Sequence, residues 1–153
     1  MKVKKMYRHI LVATDLRTDQ KVLLKKVQDL SSLLGNDLTG IHIVDPILQY
    51  SGGGYMGAGA FDLDGVEKDR MDQAAAKLKG FSEKFKDIFP DVKCCVDLGN
   101  SVSGIIDKAN ELKADLIIVG SHGKHGLGLL LGSTASGVVH HAKCDVIVVR
   151  LKN

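Results

Sequence analysis

Asp115-Leu-Ile-Ile-Val-Gly-Ser-His-Gly123, then Lys124 to Leu131, then Gly132-Ser-Thr-Ala-Ser136, carries more structural information than any other part of this chain. Leu116 to Val119 is apolar at every position, the pattern of a strand covered on both faces, and it runs directly into Gly120. After the loop, small residues from Gly132 onward open a helix. Glycines let main-chain N–H groups approach an anion with no Cβ in the way, and a helix N-terminus adds unpaired donors and partial positive charge. The whole unit therefore reads as strand, phosphate cradle and helix. Ser133 and Thr134 are also the residue types preferred as helix N-caps, a role compatible with ligand contact.

The same alternation of strand and helix periods extends in both directions. Toward the N-terminus, Ile10 to Thr14 is a short apolar strand that ends at Asp15, and Leu23, Val27, Leu30 and Leu34 repeat at helical spacing before a stop at Gly35-Asn36. Leu38 to Val44 gives a second strand closed by Asp45-Pro46. Tyr50 to Gly65 is glycine-rich without periodicity and reads as a long loop, either a lid or a surface insertion. Met71, Ala75, Leu78, Phe81 or Ser82, and Phe85 form one stripe of a second helix, ended by Phe89-Pro90. Val92 to Leu98 is a third strand, and Ser101 is placed as the N-cap of a helix carrying Ile105, Ala109 and Leu112. Asp115 to Val119 is the fourth strand. Beyond the cradle, Val138, Val139 and Ala142 are expected to face inward on a last helix, and Asp145 to Val149 is the fifth strand.

Strands alternating with helices, with strand cores apolar on both faces, predict an α/β fold with a doubly wound parallel sheet. Its ligand crevice is expected at the carboxyl ends of the first and fourth strands, where Thr14-Asp15 would meet Gly120. At 153 residues and 44% apolar content, the chain is expected to form one domain, residues 1–153. A formal charge of +3, 5% aromatic residues and no Trp offer neither a basic groove nor stacking platforms, so nucleic acid is not an expected partner. Met1 to Met6 lacks the apolar core of a secretory signal and no segment reaches 18 uncharged apolar residues, so a cytoplasmic protein without a membrane partner is expected. Three cysteines form no disulfide framework, and Cys94 and Cys95 would point to opposite faces of a strand. His122, His125, His140, His141 and Cys144 match no standard zinc spacing.

Three segments together resemble the universal stress protein family: Tyr7-Arg-His-Ile-Leu-Val-Ala-Thr-Asp15, Ile41-His-Ile-Val-Asp45, and Ala114-Asp-Leu-Ile-Ile-Val-Gly-Ser-His-Gly123. Gly132-Ser133 and Cys144-Asp-Val-Ile-Val-Val-Arg150 complete the likeness, which covers nearly the whole chain. The resemblance implies a five-stranded parallel sheet of order 3-2-1-4-5 with helices on both faces, an adenine nucleotide α-hydrolase-like fold. It further implies a homodimer, here expected through the edge strand Val146 to Arg150, and in some members a bound ATP. Binding members carry Gly-x2-Gly-x9-Gly-Ser/Thr. In this chain Gly120 and Gly123 keep the first spacing, while eight residues separate Gly123 from Gly132.

Carried over position by position, the resemblance implies that Ala13 and Thr14 line the base and that Asp15 faces the ribose or adenine edge. Ile43 would offer main-chain hydrogen bonds to adenine while Val119 packs on its face. Gly120, His122, Gly123, Gly132, Ser133 and Thr134 would surround ribose and phosphates, with ATP, alone or with Mg2+, as the ligand. No dedicated catalytic group stands out, so a nucleotide-dependent switch rather than an enzyme is expected. A nucleotide-free dimeric interaction protein and a slow ATP hydrolase working through His122 or Asp15 stay open at this stage.

Overall fold

The structure, a computed structural model, describes residues 5–16, 20–47, 63–121 and 131–151. Strands and helices alternate along them: β1 (Tyr7–Ala13), α1 (Gln20–Leu30), β2 (Leu34–Val44), α2 (Leu63–Glu83), β3 (Lys93–Leu98), α3 (Ser101–Glu111), β4 (Leu116–Gly120), α4 (Ser133–His141) and β5 (Asp145–Val149). All neighbouring strands pair in parallel, in the order β3-β2-β1-β4-β5. This is the α/β doubly wound sheet expected from the sequence.

Alternation along β1 shows why helices lie on both sides. Ile10 and Val12 point into one core, where Leu23 and Val27 of α1 meet Leu78 and Phe81 of α2. Leu11 and Ala13 point into the other, with Ile105 and Ala109 of α3 and Ala135 and Val138 of α4. Ile117 and Val119 share that second core, whereas Leu116 and Ile118 belong to the first. Both cores are continuous along the central strands, which fixes the carboxyl ends of β1 and β4 side by side. At the opposite end, the Asp115 carboxylate accepts from the Arg8 and His9 N–H groups at 2.9 to 3.1 Å, tying the entry of β4 to β1.

Several boundaries differ from the expected ones. α1 stops at Leu30, and Leu34 opens β2 instead of completing the helical stripe. Gly35, expected as a helix stop, lies in the strand. A Cβ there would sit 2.7 Å from the Tyr7 carbonyl oxygen and 2.8 Å from Arg8 Cα, so this close approach to β1 requires glycine. β1 starts earlier than Ile10, at Tyr7, and ends at Ala13. α2 begins at Leu63, inside the segment expected as loop, and residues 50–62 of that segment lie outside the described residues. The helix ends at Glu83, before Phe85. Phe85 nonetheless keeps its place in the core, stacked edge-on between Phe81 and Phe89 at centroid distances of 5.0 and 6.0 Å. The cap of α3 is Asn100, not Ser101, and its side chain accepts from the Val102 and Ser103 N–H groups. On α4, Val138 is buried as expected, but Val139 is exposed.

Candidate functional site

The chain winds outward in one direction from β1 to β2 and β3, and in the other through β4 to β5, so connections leave the carboxyl ends of β1 and β4 toward opposite faces. A cleft opens there, enclosing about 680 Å³ of non-atom space that includes its open mouth. Ala13, Thr14 and Asp15 line it from the exit of β1, Ile41, His42 and Ile43 from β2, Val119 and Gly120 from β4, and Thr134 and Ala135 from α4. Leu23, Ser101, Ile105 and Leu151 complete the wall.

The β1 side is held by three hydrogen bonds around one residue. Thr14 N–H donates to the Ile41 carbonyl at 3.0 Å, Thr14 Oγ1 accepts from the Leu16 N–H at 3.1 Å, and the Thr14 carbonyl accepts from His42 Nδ1 at 2.7 Å. The chain then turns sharply, with Leu16 at a φ of 59° in the left-handed region. Asp15 stands exposed at the apex of this turn.

The β4 side is tied to the C-terminal strand. Ser121 is buried and serves three partners: its N–H donates to the Val149 carbonyl, its hydroxyl accepts from the Leu151 N–H at 3.1 Å, and its carbonyl accepts from the Gly132 N–H at 2.7 Å. Leu151 therefore packs its side chain on Gly120. A Cβ on residue 120 would lie 2.5 Å from Leu151 Cδ1, so the missing side chain here makes room for a leucine of the chain itself. Gly132 is the N-cap of α4 and contributes no side-chain bond. The first helical bond runs from Ser136 N–H to the Gly132 carbonyl, so the N–H groups of Ser133, Thr134 and Ala135 have no acceptor within the helix. Neither Ser133 nor Thr134 is the cap.

Of the residues singled out in the sequence, the structure gathers Ala13, Thr14, Asp15, Ile43, Val119, Gly120 and Thr134 around one cleft. Gly132 and Ser133 stand at the adjoining start of α4, with Ser133 exposed, and do not form its wall. His122, Gly123 and Lys124 lie outside the described residues. His42, Ser101 and Leu151 are additions. His42 was hidden as a single polar position between two isoleucines, and Leu151 lies past the end of the strand pattern, where periodicity says nothing.

The cysteines stand apart from the cleft. Cys94 Sγ reaches the Leu78 carbonyl on the α2 face, and Cys95 Sγ the Gly40 carbonyl within the sheet, with the Cys95 side chain on the α3 face. Burial raises the Cys94 and Cys144 thiols, and burial with the nearby Asp97 carboxylate pushes Cys95 up to about 11. At neutral pH all three are protonated, which makes them poor nucleophiles. His140 and His141 lie exposed at the end of α4, where His141 Nδ1 meets the Gly137 carbonyl at 2.8 Å. Among the described residues, no helix is long and apolar enough to cross a membrane.

Comparison with known proteins bears directly on this geometry. The universal stress protein family matches residues 6–150. Universal stress protein A homolog 2 of Coxiella burnetii is 37% identical over 151 residues, covering 95% of this chain and 97% of that protein. The solved structure of a universal stress protein from Methanocaldococcus jannaschii superimposes with a TM-score of 0.72 at 27% identity, over 97% of this chain and 99% of that one. A universal stress protein solved in complex with cAMP shares the fold at a TM-score of 0.67 and 22% identity, over 97% of this chain and 100% of that one. Strand order, the cleft between β1 and β4 and the sequence match thus converge, and the chain belongs to the universal stress protein family.

Proposed function

We propose that this protein binds an adenine nucleotide, ATP in the first place, in the cleft between β1 and β4, and that occupancy switches its contacts with partners. The observation that carries the reading is the end of the β1–β2 ladder. Main-chain polar groups alternate sides along a strand, and Ile41 faces β1 while Val44, whose carbonyl accepts from Gly99 N–H, faces β3. Ile43 therefore faces β1, but pairing stops at Ala13 with Ile41. Its N–H and C=O form a donor and acceptor pair at the rim of an apolar cleft, complementary to a ring nitrogen and the exocyclic amine of adenine. Val119, Ile105 and Ala13 supply apolar surface for the base. Thr14 and Asp15 stand on the ribose side, and the N-terminus of α4, with Gly132, Ser133 and Thr134, faces the phosphates. Gly120, His122 and Gly123 belong to the same phosphate loop in this reading, and Mg2+ would accompany the triphosphate. The fold-sharing protein that holds cAMP supports the choice of an adenine ligand.

The same reading places the protein in the cytoplasm as a homodimer joined through β5, and gives it no dedicated catalytic step. Mass spectrometry of the purified, denatured protein is expected to show released ATP, unchanged on standing. Millimolar Mg-ATP is expected to raise the apparent stability by about 2.7 kcal/mol at one hundred times Kd. ADP accumulating in proportion to protein would assign hydrolysis instead. No released nucleotide together with no thermal shift would leave an interaction protein without nucleotide.

A further inference from the structure

We infer that His42 is a positioning residue that keeps the Ile43 N–H open to the base, an assignment that rests on the nucleotide-binding reading above. In a parallel ladder of this phase, Thr14 N–H donates to the Ile41 carbonyl, and the next rung runs from Ile43 N–H to the Thr14 carbonyl. The first of these bonds is present at 3.0 Å and the second is not among the bonds of the described residues. In its place, His42 Nδ1 lies 2.7 Å from the Thr14 carbonyl oxygen. A carbonyl only accepts, so Nδ1 carries the proton and donates, in the neutral ring as in the charged one. Thr14 is only 8% exposed, and a buried carbonyl requires a donor. The imidazole supplies it from within β2, while the Thr14-to-Leu16 turn carries the chain away from the sheet.

Two consequences follow from removing that donor. The Thr14 carbonyl is left unsatisfied, and the nearest main-chain donor of matching phase is Ile43 N–H. Closing this rung lengthens the β1–β2 ladder by one step and consumes the group that would meet the base. His42 thus acts through Thr14 and Ile43 rather than through contact with the chemistry of the ligand.

The test uses the full chain with His42→Leu, which has no donor, and His42→Asn, whose amide nitrogen takes nearly the place of Nδ1. Site-resolved amide hydrogen exchange without nucleotide is expected to show Ile43 exchanging freely in the wild type and in His42→Asn. In His42→Leu it is expected to slow by about tenfold or more as the rung closes. Calorimetry with ATP and with 1-deaza-ATP, which lacks the N1 acceptor, supplies the second arm. The wild type is expected to bind 1-deaza-ATP about tenfold more weakly than ATP, and His42→Leu to bind both at that weaker level. His42→Asn restores discrimination. A protein merely loosened by the substitution would lose affinity for both ligands alike and would expose Ile43 rather than protect it, which overturns the assignment. So does an Ile43 amide already protected in the ligand-free wild type. A wild type that binds no adenine nucleotide overturns the binding reading instead, and the exchange arm, which needs no nucleotide, still decides whether His42 holds the rung open.

Discussion

Gly120 illustrates how one residue can be required for a reason other than the one its motif advertises. A glycine after a buried strand reads as backbone laid bare for a phosphate, yet the place a Cβ would take is already held by Leu151, 2.5 Å away and 4% exposed. Gly120→Ala is therefore expected to lower stability by roughly 1–3 kcal/mol through overpacking, whatever the ligand. Leu151→Ala alone costs its buried side chain, roughly 2–5 kcal/mol. In the double variant the added methyl enters the space vacated by the leucine, so the two losses should sum to less than their total by about 1 kcal/mol or more. Urea unfolding of the four proteins measures this, and simple additivity would place the Leu151 contact elsewhere. Thr14, Asp15 and Gly120 were legible as cleft residues because strand ends at a switch point are fixed by chain order, whereas Ile43 and Val119 came only from the family resemblance. Leu151 was not, because nothing in the residues that follow the strand says that one of them packs on Gly120. His42 was equally silent: its role depends on which rung of the ladder is missing, a matter of phase that residue type does not encode.

The elements carrying the cleft differ in how strongly their ends are specified. α3 is stopped and started by local chemistry. Asn100 sits in extended backbone with ψ at 132°, and its Oδ1 accepts from two N–H groups of the first turn at 3.0 and 3.2 Å. Asn100→Ala is expected to cost about 1 kcal/mol, with Asn100→Asp retaining most of the stability, as measured by thermal unfolding. If alanine has no effect, Ser103, whose hydroxyl reaches the Asn100 carbonyl at 3.3 Å, is holding the turn instead. Asn100 and Ser101 are both good capping types, and a one-residue difference between them is of the kind that sequence alone resolves poorly. The α1–β2 boundary shows a deeper conflict. Leu34 fits a helical stripe and Gly35-Asn36 fits a helix stop, but burial of Leu34 at the start of β2 and the close approach of Gly35 to β1 override both. Elsewhere the apolar runs of β4 and β5 left no such choice, since four consecutive β-branched or leucine residues suit a strand covered on both faces better than any other element.

For the molecule as a whole, the exposed question is the free side of β5. The strand lies at the sheet edge, paired only to β4 among the described strands. Val149 faces β4, since its carbonyl accepts from Ser121 N–H, and by alternation Asp145 and Ile147 do the same while Val146 and Val148 turn their main-chain groups outward. The side chains of the strand are apolar on both faces, with Val146 and Val148 packed on the α3–α4 core and Ile147 on the other. An edge with bare amides and apolar flanks is suited to a second copy of itself. The proposed dimer through β5 then predicts a solution mass of twice 16.5 kDa by sedimentation equilibrium. Proline separates the two sides of the strand cleanly. Val148→Pro removes an outward N–H and leaves the β4 ladder intact, so it should give a folded monomer with an unchanged far-ultraviolet spectrum. Ile147→Pro removes an N–H that β4 needs, and should lower stability before it changes assembly. A Val148→Pro protein that still sediments as a dimer would move the interface away from β5. Because Val149 and Leu151 both bond to Ser121, next to Gly120 in the cleft wall, a β5 dimer would also place its interface one residue from the proposed nucleotide site, so ATP should shift the monomer–dimer equilibrium in the wild type and not in Val148→Pro.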